Sequence, residues 1–209
     1  MREFITIAES VQSEITEKKS KFIANLFYVE NSEEAEKIIK EIKRKYFDAR
    51  HNCIAYRVIE DGNIIEKSSD DGEPSGTAGA PMLNILQKNN LANVLIIVTR
   101  YFGGILLGTG GLVRAYSLAT TTALDSAIII KQEEGLEAEF FVDYKELEEV
   151  KYHLKNRKIN ISKLEYFEKV KLIVEGEKNS ISSLEKEKLS DRVILEHVKI
   201  LGKKSIRIE

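Results

Sequence analysis

Ser69-Asp70-Asp71-Gly72-Glu73-Pro74-Ser75-Gly76-Thr77-Ala78-Gly79 and, beyond a short apolar run, Arg100-Tyr101-Phe102-Gly103-Gly104-Ile105-Leu106-Leu107-Gly108-Thr109-Gly110-Gly111-Leu112-Val113-Arg114-Ala115-Tyr116 are the most informative segments of this chain. Eight of the chain's twelve glycines fall between Gly72 and Gly111, so backbone freedom and close approach are concentrated in one region. Residues 93–101 (Asn-Val-Leu-Ile-Ile-Val-Thr-Arg-Tyr) are too continuously apolar for an edge strand and predict a buried, central one. Residues 77–89 predict a helix before it. Residues 109–127 predict a helix after it, with Leu112, Val113, Tyr116, Ala119 and Ala123 on the apolar face. The glycines therefore sit where a central strand hands over to a helix.

Working outward, residues 21–29 are rich in aromatic and β-branched side chains and read as a strand. In 32–46, Ala35, Ile38, Ile39, Ile42 and Tyr46 recur at helical spacing behind an Asn31-Ser32 cap, while Glu/Lys pairs four apart occupy the other face. Residues 51–59 and 64–67 read as a hairpin around Asp61-Gly62-Asn63. The polar run 131–135 ends in glycine and marks the expected boundary between a domain over residues 1–132 and another over 136–209. Beyond it the pattern restarts: strand 136–142, helix 144–156, strands 158–166 and 167–177, helix 179–189 and strand 192–201. The order β-α-β-β-α-β predicts a ferredoxin-like second domain, and the chain as a whole an α+β protein.

Composition narrows the function. Residues 1–130 hold 15 Lys+Arg against 17 Asp+Glu, and residues 131–209 hold 17 of each. Any contact with nucleic acid must then come from a local basic patch on a near-neutral body. Cys53 is the single cysteine, so no internal disulfide or Cys-x-x-Cys site is available. Acidic residues interrupt the N-terminus where a signal peptide keeps an apolar core, and no stretch approaches a membrane span, so a cytoplasmic protein without a membrane partner is expected.

Several residue groups have the chemistry of a site. A helix start exposes unpaired N–H groups and partial positive charge, and glycines let an anion come close. Gly103, Gly104, Gly108, Thr109, Gly110 and Gly111, flanked by Arg100 and Arg114, fit that description, as does plain turn architecture. The pattern is neither a Walker A motif nor a Gly-x-Gly-x-x-Gly motif. Asp70, Asp71 and Glu73 are either loop-ordering groups, with Asp70 capping a turn and Glu73 pairing with Arg100 or Arg114, or ligands of a hard metal ion. His51 and Cys53 point to the same face of a strand, too far apart for a direct pair, and read as packed residues. Lys21 and other cations interleave with aromatics such as Phe22 and Tyr101, a composition that suits RNA.

The ordered elements Lys19-Ser20-Lys21-Phe22-Ile23, His51-Asn52-Cys53-Ile54-Ala55-Tyr56-Arg57, 70–79, 100–104 and 108–116 resemble those of the bacterial YigZ/IMPACT family. The resemblance covers most of residues 18–118. It implies a first domain of the ribosomal protein S5 domain 2-like kind and a second similar to the ferredoxin-like domains of elongation factor G. Eukaryotic IMPACT proteins share the first domain and are linked to translational control through competition for an activator of a stress-response kinase. Their counterparts replace the Pro-Ser-Gly-Thr and Thr-Gly-Gly-Leu stretches kept here, so that role is not carried over.

These readings favour a nucleic-acid or ribosome-associated protein of translation or its regulation. In it, Lys21, Arg100, Gly103, Gly104, Gly108, Thr109, Gly110, Gly111 and Arg114 would form the anion-binding surface. No catalytic residue or cofactor is expected. The alternatives are an enzyme acting on a phosphorylated small molecule and a module that docks a protein partner.

Overall fold

The computed structural model describes residues 3–185, 193 and 195–208. It falls into two units, one over Phe4–Lys131 and the other from Gln132 onward together with Glu3.

The first unit is built on a five-stranded antiparallel sheet. Its strands are β2 (Val11–Glu17), β3 (Ser20–Tyr28), β4 (His51–Glu60), β5 (Asn63–Ser69) and β6 (Val94–Tyr101), in the order β2-β3-β6-β4-β5. The continuously apolar segment is the central strand, as its composition demands. Alternation sends Val94, Ile96 and Val98 to one face and Leu95 and Ile97 to the other, and all five are fully buried. On the first face lie α2 (Gly79–Lys88), through Met82 and Leu86, and α3 (Thr109–Asp125), through Leu112, Tyr116, Ala119 and Ala123. The second face is covered by α1 (Ser32–Lys45), whose Ala35, Ile39 and Ile42 form the apolar stripe that the spacing predicts. Asn31 caps α1, its side-chain oxygen accepting from the Glu34 N–H at 2.8 Å.

Two strands were not legible in the sequence, β1 (Glu3–Ile7) and β2. In β2, Glu and Gln alternate with half-buried residues, the pattern of a partly wet edge. Its hairpin to β3 turns on Lys18 and Lys19, both with positive φ (46° and 65°) and neither a residue that announces such a turn.

The elements that follow are β7 (Ile129–Val142), whose first three residues still belong to the first unit, and then, in the second, α4 (Leu147–Asn156), β8 (Asn160–Tyr166), β9 (Val170–Gly176), α5 (Lys178–Ser183) and β10 (Glu196–Ile208). The strand expected over 136–142 begins earlier, so the polar run 131–135 is part of β7. A short 3-10 turn, Tyr144–Glu146, precedes α4 where one longer helix was expected. Residues 186–189 of the expected last helix and Arg192 and Ile194 of the expected last strand lie outside the described residues. β9 lies between β7 and β8, with β10 on the other side of β7. This is the ferredoxin-like arrangement. Phe140, Leu172, Val174, Val150, Leu154 and Ile181 pack in its core. The protein is thus an α+β chain of two units, the second with the ferredoxin-like strand order.

Candidate anion-binding site

The loop between β5 and α2 is organised by Asp70. One carboxylate oxygen accepts from the Ala78 and Gly79 N–H groups at 2.9 and 2.8 Å, and the other from Gly76 at 2.8 Å. Ala78 at the N-cap of α2 offers no capping side chain, so Asp70 does that work from eight positions upstream. Burial alone would raise its carboxyl, but the three N–H groups outweigh it and hold it below the ordinary carboxylate value. A depressed carboxyl contributes stability above its unfolded value and loses it as pH falls through the folded one. Urea midpoints are therefore expected to drop on acidification below about pH 4, the ordinary aspartate range, and the drop should be shallower in Asp70→Asn. An identical acid profile in wild type and variant would refute this.

Asp71 serves the neighbouring strand and helix. Its side chain accepts from the Asn52 N–H at 2.7 Å and pairs with Lys43 at 2.6 Å, while its carbonyl accepts from His51 Nδ1 at 2.9 Å. Glu73 goes inward. Its Oε1 takes Arg100 Nη1 at 2.6 Å and the Tyr116 hydroxyl at 2.8 Å. The three carboxylates thus turn to three different sets of partners, and among the described residues no group of three His, Cys, Asp or Glu is placed to hold a metal ion.

The Glu73–Arg100 pair is the buried centre of the region, with side chains 3% and 7% exposed. Arg100 comes from β6 and also donates to Ser20 Oγ at 3.4 Å; its guanidinium lies between the rings of Phe22 and Phe102, 5.4 and 5.6 Å from their centroids. Tyr116 from α3 packs edge-on against Phe22 and accepts from Cys53 Sγ at 3.3 Å. Burial pushes the Cys53 thiol up to about 12, which keeps it protonated and inert at neutral pH. Burial likewise raises the Tyr116 phenol, so it remains a donor to Glu73.

A cavity of about 390 Å³ opens beside this pair. Glu73, Pro74, Arg50, His51 and Arg100 line one part of it, and Phe102, Leu106, Leu107, Gly108, Thr109 and Leu112 the rest. Gly108 caps α3 with φ 70°, a conformation that suits glycine, and supplies no side-chain cap. The first turn of α3 carries no acidic residue. The first helical bond runs from Leu112 N–H to the Gly108 carbonyl at 2.9 Å, so the N–H groups of Thr109, Gly110 and Gly111 find no acceptor among the described residues. Thr109 and Gly110 are exposed. A β-carbon built on Gly110 would lie 3.6 Å from Arg114 Nη1, which places that guanidinium along the same turn.

The structure brings Arg100, Gly108 and Thr109 to the cavity wall, with Gly110, Gly111 and Arg114 next along α3. Lys21 stands elsewhere on the sheet, paired with Glu14 at 2.6 Å. The Gly103 N–H is consumed by Ser20 Oγ at 3.2 Å, and neither Gly103 nor Gly104 lines the cavity. Sequence reasoning did not foresee His51, Phe102 or Leu106 at the site. On its strand His51 has Cys53 as its nearest chemical neighbour on the same face, two residues away, whereas in the fold its ring meets the Asp71–Glu73 loop twenty residues on.

The first unit, with its densest motif around a glycine-rich helix start, is the part of the chain that has relatives among both bacteria and eukaryotes. The Impact N-terminal domain family matches residues 18–124, and the chain belongs to the IMPACT family. It is 37% identical over 185 residues to the IMPACT family member YvyE of Bacillus subtilis (strain 168), covering 87% of this chain and 85% of that one. It is 35% identical over 207 residues to an IMPACT family member of Haemophilus influenzae, covering 96% and 99% of the two chains. A crystal structure described as that of a hypothetical protein superposes with a TM-score of 0.64 at 29% identity, covering 97% of this chain and 98% of the other.

Among the described residues no helix is long and apolar enough to cross a membrane.

Proposed function

We propose that this protein binds RNA through the cavity at the start of α3 and acts, in the cytoplasm, in translation or its regulation at the ribosome, without turning over a substrate. The observation that carries this reading is the uncapped first turn of α3, whose N–H groups lie free beside Arg50 and Arg114 at a cavity walled by Phe102. Unpaired N–H groups and a helix dipole attract phosphate, guanidinium groups add charge, and an aromatic face offers a base something to stack on. Arg100 is neutralised by Glu73, so its part is to hold the wall in place. The ribosomal setting is supported by fold analogy with ribosomal protein S5 and elongation factor G domains.

Binding of a labelled single-stranded RNA, followed by fluorescence anisotropy, is expected to weaken as salt rises, and Arg114→Ala is expected to reduce the slope against log salt by about one unit. No affinity at low salt, or affinity that ignores salt, overturns the reading. Ribosome co-sedimentation tests the cellular half of it.

A further inference from the structure

The second unit holds a cavity of its own. It measures about 550 Å³, a size that admits a small molecule, and the described residues that line it all belong to that unit. Two glycines let its wall close: a β-carbon built on Gly135 of β7 would stand 2.9 Å from Ile206 Cδ1 of β10, and one on Gly176 would stand 3.4 Å from Ile159 Cγ1. Leu154, Ile159 and Ile206 are buried there and make part of that wall apolar.

Glu133 lines the same cavity from the polar run in β7. It is 6% exposed, yet no hydrogen bond and no ion pair reaches its carboxylate among the described residues. Burial raises its carboxyl, and the like charges of Glu177, which also lines the cavity, and Glu3 add to that on balance. A carboxylate withdrawn from water without a partner is costly, so the group it lacks is a cation.

The protein's own cations stand further out. Lys155 near the end of α4, Lys158 just past it and Arg207 of β10 line the cavity, are exposed, and make no ion pair among the described residues. Lys151 lines it too, but is paired with Glu148 at 2.7 Å. The cavity thus offers a buried place for a cation, an outer place for an anion and a hydrocarbon wall beside them. Neither a bare cation nor a bare anion satisfies both charged places. A molecule that carries an ammonium, a carboxylate and an apolar side chain does.

We infer that the cavity of the second unit binds a free apolar amino acid, its ammonium on Glu133 and its carboxylate on Lys155, Lys158 and Arg207. Leu154, Ile159 and Ile206 receive the side chain. This site shares no lining residue with the cavity at the start of α3, and it stands independently of the RNA reading.

Isothermal titration calorimetry on the full chain tests it, with leucine, isoleucine and phenylalanine as probes. Saturable binding of at least one of them is expected. For leucine the matched controls are isoamylamine, which lacks the carboxylate, and isocaproate, which lacks the ammonium; for phenylalanine they are phenethylamine and hydrocinnamate. Each control is expected to bind about ten-fold more weakly or worse than its amino acid, the effect of losing a hydrogen bond to a charged group. Glu133→Gln is expected to lose about ten-fold in affinity or more on the same ground. Lys158→Ala and Arg207→Ala, at exposed positions, are expected to lose about three-fold each, and they keep a protein-side test should Glu133→Gln fold poorly. An amine or an acid that binds as tightly as its amino acid leaves a site of one sign and overturns the inference. So does the absence of saturable binding by any of the three probes, or affinity that survives all three substitutions.

Discussion

Arg100→Met is expected to lower the unfolding free energy by about 3–5 kcal/mol, measured from urea or guanidinium midpoints at neutral pH. The substitution removes a guanidinium that is 7% exposed and leaves the Glu73 carboxylate, 3% exposed, with the Tyr116 phenol and, 3.9 Å away, His51 Nε2. The cost comes from the charge left behind more than from the worth of the pair. It follows that Glu73→Leu combined with Arg100→Met should recover much of the loss, because a buried ion pair replaced by apolar groups of similar size is often neutral. A double mutant as unstable as the sum of the singles would show that the two side chains act independently, against the geometry. Since Arg100 Nε finds no acceptor even in the intact structure, methionine also removes one buried unsatisfied donor.

Gly103→Ala carries the second large effect. A β-carbon at Gly103 would stand 1.9 Å from the Lys19 carbonyl oxygen and 2.5 Å from the Ser20 nitrogen, and both are backbone. No rotamer relieves such a contact, so the β2–β3 turn or the exit of β6 must move, breaking the Gly103 N–H bond to Ser20 Oγ. The expected loss is about 3 kcal/mol, at the upper end for overpacking. Gly104→Ala, one residue on, meets open space at φ 85° and pays only the strain of a left-handed conformation, roughly 1 kcal/mol. Comparable thermal midpoints for the two variants would contradict the close approach at Gly103.

Much of this architecture could be read from local pattern. The central position of β6 followed from eight consecutive strand residues with no polar face, and α1 followed from its apolar stripe and Asn31 cap. The second unit followed from the order of its periods. Asp70 as a turn-organising group, and a partner arginine for Glu73, were both legible from a short acidic loop beside cations. β1 and β2 were not, because edge strands with one wet face alternate weakly and their turn uses lysines in a conformation that lysine rarely signals.

What the sequence determined by itself is therefore what depends on neighbours in the chain: helix faces, strand burial, caps, the glycine-rich start of α3, and membership of the IMPACT family. What the tertiary structure alone decided is which of those residues share a cavity. β4 and β6 pair so that His51 stands opposite Arg100, and the 70–78 loop then folds back over both. That choice is made by sheet register and by the partners of a buried carboxylate, interactions between positions 20 to 49 residues apart that leave no period in the sequence. Lys21, close to the site's residues in motif, is carried away on its own strand to Glu14, while His51, far from the glycines in sequence, is delivered to the cavity they open on.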